Sequence, residues 1–241
     1  MSGMAGRILI TGDKHGTFSP LFGLAERHAL YDSDILIIAG DAGYVWDEDY
    51  LCRVETLQQL FPGTVAFVDG NHENHALLEQ FPVQIWNGGR AHQVSPQVYH
   101  LMRGEIYSIY GTNLFAFGGA RSTDQEQREP GKSWWQAEEP SPEEMEYGQK
   151  QLMEHRNEIH YVVTHETPLS ARAFISRKKA IPDDYRLPAV FEDWYQSLSG
   201  APQFKRWYFG HMHEDLLIAP QLRGIHNHIL PLGEETLLRW A

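Results

Sequence analysis

At 241 residues, with 42% hydrophobic and 22% charged side chains, the chain can bury one sizeable core, and with no linker-like tract we expect a single domain over residues 1–241. Thirty-two Asp and Glu against 20 Lys and Arg give a formal net charge of −12, a field that disfavours a duplex nucleic-acid or anionic-membrane binder but not a phosphoester held in a metal-lined pocket. The single cysteine, Cys52, excludes an intrachain disulfide and any multi-thiolate zinc site. No apolar stretch approaches the ~20 residues of a membrane span, and Ile8–Ile10 is too short for a secretory h-region, so the cytoplasm is the expected compartment.

Arg7–Thr11 is short and rich in β-branched residues, as a buried strand is, and it runs into the turn Gly12-Asp13-Lys14-His15-Gly16. Ser19-Pro20 opens a helix with Leu21, Leu24 and Ala25 on one face. Asp34–Ala39 reads as a second strand ending in Gly40-Asp41, Leu51–Leu60 as a helix stopped by Pro62-Gly63, and Thr64–Val68 as a third strand. That strand ends in Gly70-Asn71-His72-Glu73, before a short helix around Ala76–Glu79. This alternation predicts a parallel sheet whose loops, and any ligand site, gather at the carboxyl ends of the strands.

From Val83 to Gly119 the pattern becomes hairpin-rich and is expected to be antiparallel, with strands at Val98–Met102, Glu105–Ile109 and Asn113–Phe117. Gln125–Ser141, which carries Trp134-Trp135, reads as a long ordered loop. Ser141-Pro142-Glu143-Glu144 is a capping box that starts a helix running to about Asn157. Ile159–Thr164 is a strand ending in His165. A basic loop (Arg172–Lys179) and a helix (Leu187–Leu198) precede the strand Arg206–Phe209, which ends in Gly210-His211-Met212-His213. His226-Asn227-His228 reads as one face of a strand, and Glu235–Trp240 as a closing strand.

Five strand-end turns therefore present oxygen and imidazole donors: Asp13 with His15, Asp41, Asn71, His165, and His211 with His213. Such a sulfur-free set suits Mn, Fe, Zn or Mg rather than copper(I) or an iron–sulfur cluster. Seven side chains exceed what one four-coordinate ion uses, so two ions sharing a carboxylate are expected. Two metals about 3.5–4 Å apart clamp both oxygens of a phosphoryl displacement. Singly, each of these residues has a duller reading: Asp13 and Asp41 as helix caps, the histidines as satisfied core groups.

In order, G-D-K-H-G, A-G-D, G-N-H-E, V-V-T-H-E and G-H-M-H make the chain resemble the calcineurin-like metallophosphoesterases over Gly12–His213. The stretch Leu101–Glu139 and the residues just after it, with G-G-A-R-S-T-D, S-W-W and P-S-P-E-E, are similar to a bacterial and phage subgroup. The resemblance implies a four-layer αββα sandwich of two mixed sheets flanked by helices. It places Asp13, His15 and His213 on one metal and Asn71, His165 and His211 on a second, with Asp41 bridging. His72 would face the phosphate and protonate the leaving group, and a hydroxide shared by the ions would be the nucleophile. The ions would be divalent or trivalent, with manganese favoured and iron, zinc, nickel or magnesium as alternatives. The activity implied is that of a phosphodiesterase or phosphatase on small or nucleotide-like substrates. A serine/threonine-type protein phosphatase is the alternative, disfavoured because Asp41 is followed by Ala42-Gly43-Tyr44-Val45-Trp46 without an arginine. A non-catalytic scaffold of the same fold is the alternative from another class. Arg121, Asp124 and Arg128 follow a strand end that could reach the same edge. An arginine there, Arg121 first, is a candidate for gripping phosphate, and Trp134 and Trp135 for walling a cleft and stacking a base; a structural Arg–Asp pair and a covered core edge are the plainer readings.

Overall fold

Each central strand is apolar along its whole length because both of its faces are buried. In β1 (Ile8–Thr11), β2 (Ile35–Ile38) and β3 (Thr64–Phe67), Leu9, Leu36, Ile38, Val65 and Phe67 point to one core, while Ile10, Ile37 and Ala66 point to another. The period of two sorts one continuous hydrophobic run between two layers. The first core is closed by α1 (Ser19–Arg27) and α2 (Tyr50–Leu60), through Leu21, Leu24, Val54 and Leu57. The second lies between two sheets, where Ile10, Ile37 and Val68 share a core with Leu114, Ala116, Val163 and Tyr208.

The computed structural model describes residues 6–175 and 184–234. Besides the elements already given, these comprise α3 (His75–Leu78), β4 (Val83–Trp86), β5 (Gly89–Ser95), β6 (Val98–Leu101), β7 (Glu105–Ile109), β8 (Thr112–Phe117), α4 (Pro142–Glu154), β9 (Tyr161–Thr164), α5 (Leu169–Ile175) and α6 (Leu187–Leu198). They continue with β10 (Arg206–Phe209), β11 (Leu216–Ala219), β12 (Leu222–Gly224) and β13 (Leu230–Pro231). One sheet has the order β13-β1-β2-β3-β6-β5-β4 and the other β11-β12-β10-β9-β8-β7. On the outer face of the second sheet, Phe115, Phe117, Val162, Trp207 and Phe209 pack on Leu152 of α4, Ala171 of α5, and Phe191 and Trp194 of α6. The result is the expected four-layer sandwich of two mixed sheets flanked by helices.

Register aligns the strand ends that matter. Thr11 pairs with Ile38 and Ile38 with Phe67 in one sheet, while Phe117 pairs with Thr164 and Thr164 with Phe209 in the other, all parallel. The turns after β1, β2, β3, β8, β9 and β10 therefore leave both sheets at the same rim.

Several expectations are corrected. The stretch after Val83 is not uniformly antiparallel: β6 runs parallel to β3, and β8 parallel to β9. The chain crosses from one sheet to the other at Met102–Gly104, where buried Arg103 is pinned by Asp69 and Glu144. The hairpin β4–β5 turns at Asn87-Gly88, both at positive φ (48° and 94°), as a two-residue turn between antiparallel strands requires. Helix α4 begins at the expected capping box but ends at Glu154. The basic segment opens as helix α5, with Arg172 bonded to Glu166; Arg177, Lys178 and Lys179 lie outside the described residues, as does Glu235–Trp240. His226–His228 is a turn rather than a strand, because the Asp215 carboxylate accepts the backbone N–H groups of all three residues. Among the described residues no helix is long and apolar enough to cross a membrane.

Candidate metal centre

All seven expected ligands meet at the shared rim. Asp13 and His15 follow β1, Asp41 follows β2, Asn71 follows β3, His165 follows β9, and His211 and His213 follow β10. Four of them hold left-handed backbones: His15 (φ 47°), Asp41 (49°), His211 (61°) and His213 (53°). Each such residue costs on the order of 1–3 kcal/mol and persists only where its surroundings over-determine it. Two glycines make the convergence sterically feasible. A Cβ on Gly70 would strike the Asp41 carboxylate, and one on Gly40 would strike the His165 ring arriving from the other sheet.

The hydrogen bonds around these side chains fix which atoms face inward. His165 Nδ1 lies 2.8 Å from the Ala39 carbonyl oxygen and must donate to it, so in the neutral ring the lone pair is on Nε2. That nitrogen lies 3.1 Å from Asn71 Oδ1 and 3.4 Å from Asp41 Oδ1. Asn71 is oriented in turn, since its Nδ2 donates to Ser122 Oγ (3.1 Å) and Ser122 Oγ donates to Glu138 (2.7 Å). With the ring neutral, three acceptors converge with no proton between them. A second cluster of ligand-type atoms is formed by Asp13, His15 and His213. Asp13 Oδ2 is buried and aligned with no donor, though His213 Nε2 is 3.1 Å away, and His15 Nε2 and His213 Nε2 face each other at 3.4 Å. Oxygen and imidazole nitrogen atoms crowded in this way would suit a cation.

The ionisation of the centre agrees. Burial opposes a charge on His165, but the Asp41 and Asp13 carboxylates outweigh it and hold the imidazole up to about 10. Burial likewise works against Asp41, yet His165, His72 and His15 draw its carboxyl far below the usual carboxylate range. In the absence of a cation, protons on histidine balance the carboxylates; a divalent ion would take their place.

Donor atoms of Asp13, His15 and His213 all lie within 4.8 Å of one another, and so do those of Asp13, Asp41 and His165. Asp41 extends toward both sets, Oδ1 to His165 at 3.4 Å and Oδ2 to His15 at 3.8 Å, as a bridging carboxylate would. His211 is held by its backbone N–H to Asp13 Oδ1 (3.0 Å), with its ring against His165 and its Nε2 3.7 Å from Glu166, which leaves Nδ1 for an ion. His72 borders the set without sharing in it. Its backbone N–H donates to Asp41 Oδ1 (2.7 Å), and it lines two cavities. One, of about 260 Å³, is lined by Asp41, Asn71, Thr123, Asp124, His211 and His213; the other, of about 380 Å³, by His15, Trp46 and Arg53 among others. Burial holds His72 below the ordinary imidazole value; Asp41 opposes this and the Arg128 cation reinforces it.

The substrate candidates fare differently. Arg121 is turned away, bonded to Glu139 (2.8 Å) and Asp184 (3.0 Å) and lying over the Tyr185 ring. It is Arg128, seven residues on, that touches His72. Trp135 meets Trp46 edge to face at 5.4 Å and so backs the larger of the two cavities through that residue, whereas Trp134 is half-buried and is not among the residues lining either cavity. Sequence reasoning also passed over the supports. Glu73 accepts the Ala42 N–H (2.7 Å), His226 stacks on His213 at 4.7 Å, and Glu166 gathers Arg172, Tyr185 and the Thr167 N–H beside His211. A third cavity, of about 830 Å³, lies behind the Gly70 turn; the Asp69, His100 and Arg103 side chains on its wall are bonded to one another, and His75 Nε2 lies 3.2 Å from the Gly70 carbonyl oxygen.

The calcineurin-like phosphoesterase family profile matches residues 6–215. The chain belongs to that family. Among solved structures, a protein described as a 5'-nucleotidase from Staphylococcus aureus, in complex with alpha-ketoglutarate, aligns at 13% identity with a TM-score of 0.49, over 92% of this chain and 48% of that one. The chain thus spans about half the length of that neighbour. No curated protein matches the sequence.

Proposed function

We propose that this chain is a dinuclear metal-dependent phosphoester hydrolase acting on small or nucleotide-like esters. Asp13, His15 and His213 hold one ion; Asn71, His165 and His211 hold the other; Asp41 lies between them. The observation that carries this reading is the convergence of ligand-type atoms: His165 Nε2, Asn71 Oδ1 and Asp41 Oδ1 on one side, and Asp13 Oδ2, His15 Nε2 and His213 Nε2 on the other. When bound, the ions supply positive charge to phosphoryl oxygens and make water a nucleophile near neutral pH. The protein's own groups do the rest. Ser122 and Ala39 lock the donor atoms inward, and the backbone N–H of His72 fixes the Asp41 carboxylate. The His72 ring, on the wall of both cavities, offers an N–H to the ester oxygen that leaves.

The test is a panel of phosphate mono- and diesters with Mn²⁺-loaded protein, alongside Asp41→Asn and His72→Ala. Both substitutions should cut turnover by orders of magnitude, and His72→Ala should retain most of the metal. Wild-type turnover unchanged by either substitution would refute the mechanism. A protein that retains no metal and turns over no ester would be a scaffold instead.

A further inference from the structure

Arg128 is not part of the motifs that carry the family resemblance and lines neither of the two cavities, yet its guanidinium touches His72, which lines both. Its own loop holds two of the three nitrogens: Nε lies 2.9 Å from Asp124 Oδ1, and Nη1 donates to the Ser133 carbonyl oxygen (3.2 Å). The third, Nη2, is delivered to His72, 2.9 Å from Nδ1 and 3.0 Å from Nε2. A neutral imidazole has only one acceptor nitrogen, and near-equal distances to both nitrogens place Nη2 off the axis of that lone pair, so it is not committed to it. Among the described residues Nη2 donates to no carboxylate. The side chain is only 12% exposed, so its charge is little screened.

The loop that carries Arg128 faces the smaller cavity, which Thr123 and Asp124 line together with Asp41, Asn71, His72, His211 and His213. The base of the loop is rigid. Buried Glu138 accepts the Ser122 N–H and Oγ–H and the Gln125 side-chain amide, each at 2.7 Å. The other arginines of the region are occupied: Arg53 by the Tyr44 carbonyl and Asp47, Arg121 by Glu139 and Asp184. An anion entering a protein of net charge −12 needs a local cation beyond the metals, and this loop supplies one.

We propose that Arg128 is the guanidinium that grips the substrate's phosphoryl group, its Nη2 passing from His72 to a non-bridging oxygen as the ester enters the smaller cavity. The move frees the His72 ring to meet the leaving oxygen. This assignment rests on the phosphoesterase reading above. It predicts that Arg128 matters to phosphate itself, not only to turnover.

The experiment compares Mn²⁺-loaded wild type with Arg128→Ala and Arg128→Lys. It measures the Kd of inorganic phosphate by calorimetry, kcat and KM on p-nitrophenyl phosphate and bis(p-nitrophenyl) phosphate, metal content and Tm. Arg128→Ala should weaken phosphate binding at least tenfold and lower kcat/KM about 10²-fold, with metal content and Tm near wild type. Arg128→Lys should keep part of both, and added guanidinium should restore part of the Arg128→Ala activity. Wild-type phosphate affinity and kcat/KM in Arg128→Ala would overturn the assignment and leave the phosphoesterase reading standing. Loss of activity accompanied by loss of metal and a fall in Tm, without guanidinium rescue, would make Arg128 a brace for the loop and also overturn it. If metal-loaded wild type neither binds phosphate nor hydrolyses either ester, both readings fall together.

Discussion

Replacing Arg103 with methionine should destabilise the protein by about 5 kcal/mol at pH 8 and by distinctly less at pH 5. Asp69, one residue before the Gly70-Asn71-His72 turn, is buried with 2% of its side chain exposed. Arg103 Nε (3.0 Å) and Nη2 (2.5 Å) both donate to Asp69 Oδ2, while His100 reaches Oδ1 at 3.2 Å. Removing the guanidinium breaks a buried ion pair and leaves the carboxylate with His100 alone beside it, which costs about 3–5 kcal/mol. The Ala137 carbonyl loses a 2.7 Å bond in the same step, worth about 1 kcal/mol. The bond to half-exposed Glu144 adds little. Burial alone would raise the Asp69 carboxyl; chiefly Arg103, with His100, reverses this and holds it far below the usual range. In the wild type that contribution is complete above the unfolded-state value near pH 4 and lost only below it, so it is constant between pH 5 and 8. In the variant the burial effect prevails and the folded-state value rises above the unfolded one. The penalty is then relieved as pH falls. Urea unfolding of EDTA-treated protein at the two pH values measures both quantities, and Asp69→Asn in the Arg103→Met background should recover about 2 kcal/mol or more. A loss below about 1 kcal/mol, or one that does not shrink at pH 5, would refute the reasoning.

Gly70→Ala puts a Cβ onto the Asp41 carboxylate; it should cost about 1–3 kcal/mol and lower the metal stoichiometry, read by thermal melts and elemental analysis. Ser122→Ala releases the Asn71 amide from its 3.1 Å bond, so metal affinity should fall about 10–100-fold with little change in the fold, as isothermal titration would show. Chelation should lower Tm, since an ion at 100 times its Kd stabilises by about 2.7 kcal/mol; a calorimetric Tm indifferent to Mn²⁺ would contradict the proposed centre.

What was legible in the sequence is what local chemistry dictates. The apolar runs at Arg7–Thr11, Asp34–Ala39 and Ile159–Thr164 announce strands buried on both faces, and the Gly-Asp, Gly-Asn-His and Gly-His-x-His turns announce their ends. The antiparallel expectation after Val83 held for the hairpins β4–β5, β5–β6 and β7–β8 but not for how the section joins its neighbours, because a strand's alternation does not say which sheet it joins. Arg103, buried between Asp69 and Glu144, decides that crossing from 34 and 41 residues away in sequence. The same limit hid the site's supports. Arg121 and Arg128 look equivalent in the sequence, and only the positions of Glu139, Asp184 and His72 separate a structural arginine from one at the chemistry. Arg172 reads as loop charge until Glu166 is found beneath it.

The two sheets contribute unlike chemistry to the rim. The first sends all the oxygen donors, Asp13, Asp41 and Asn71, together with His15; the second sends imidazole alone, from His165, His211 and His213. Neither sheet holds a complete ligand set for either proposed ion, so both ions would bridge the seam between the sheets. Several protein contacts already crossing that seam orient donors: His165 Nδ1 to the Ala39 carbonyl, the His211 N–H to Asp13, and Asn71 to Ser122. The glycines serve the same end, because Gly40 clears the His165 ring and Gly210 clears Asp13 and the Ala39 carbonyl across the interface. Packing of Ile10, Ile37, Ala116, Val163 and Tyr208 sets the distance between the sheets, and with it the distance between oxygen and nitrogen donors. A change of even one methylene in that core is felt by its neighbours, so here it would be transmitted to the geometry of both ions at once.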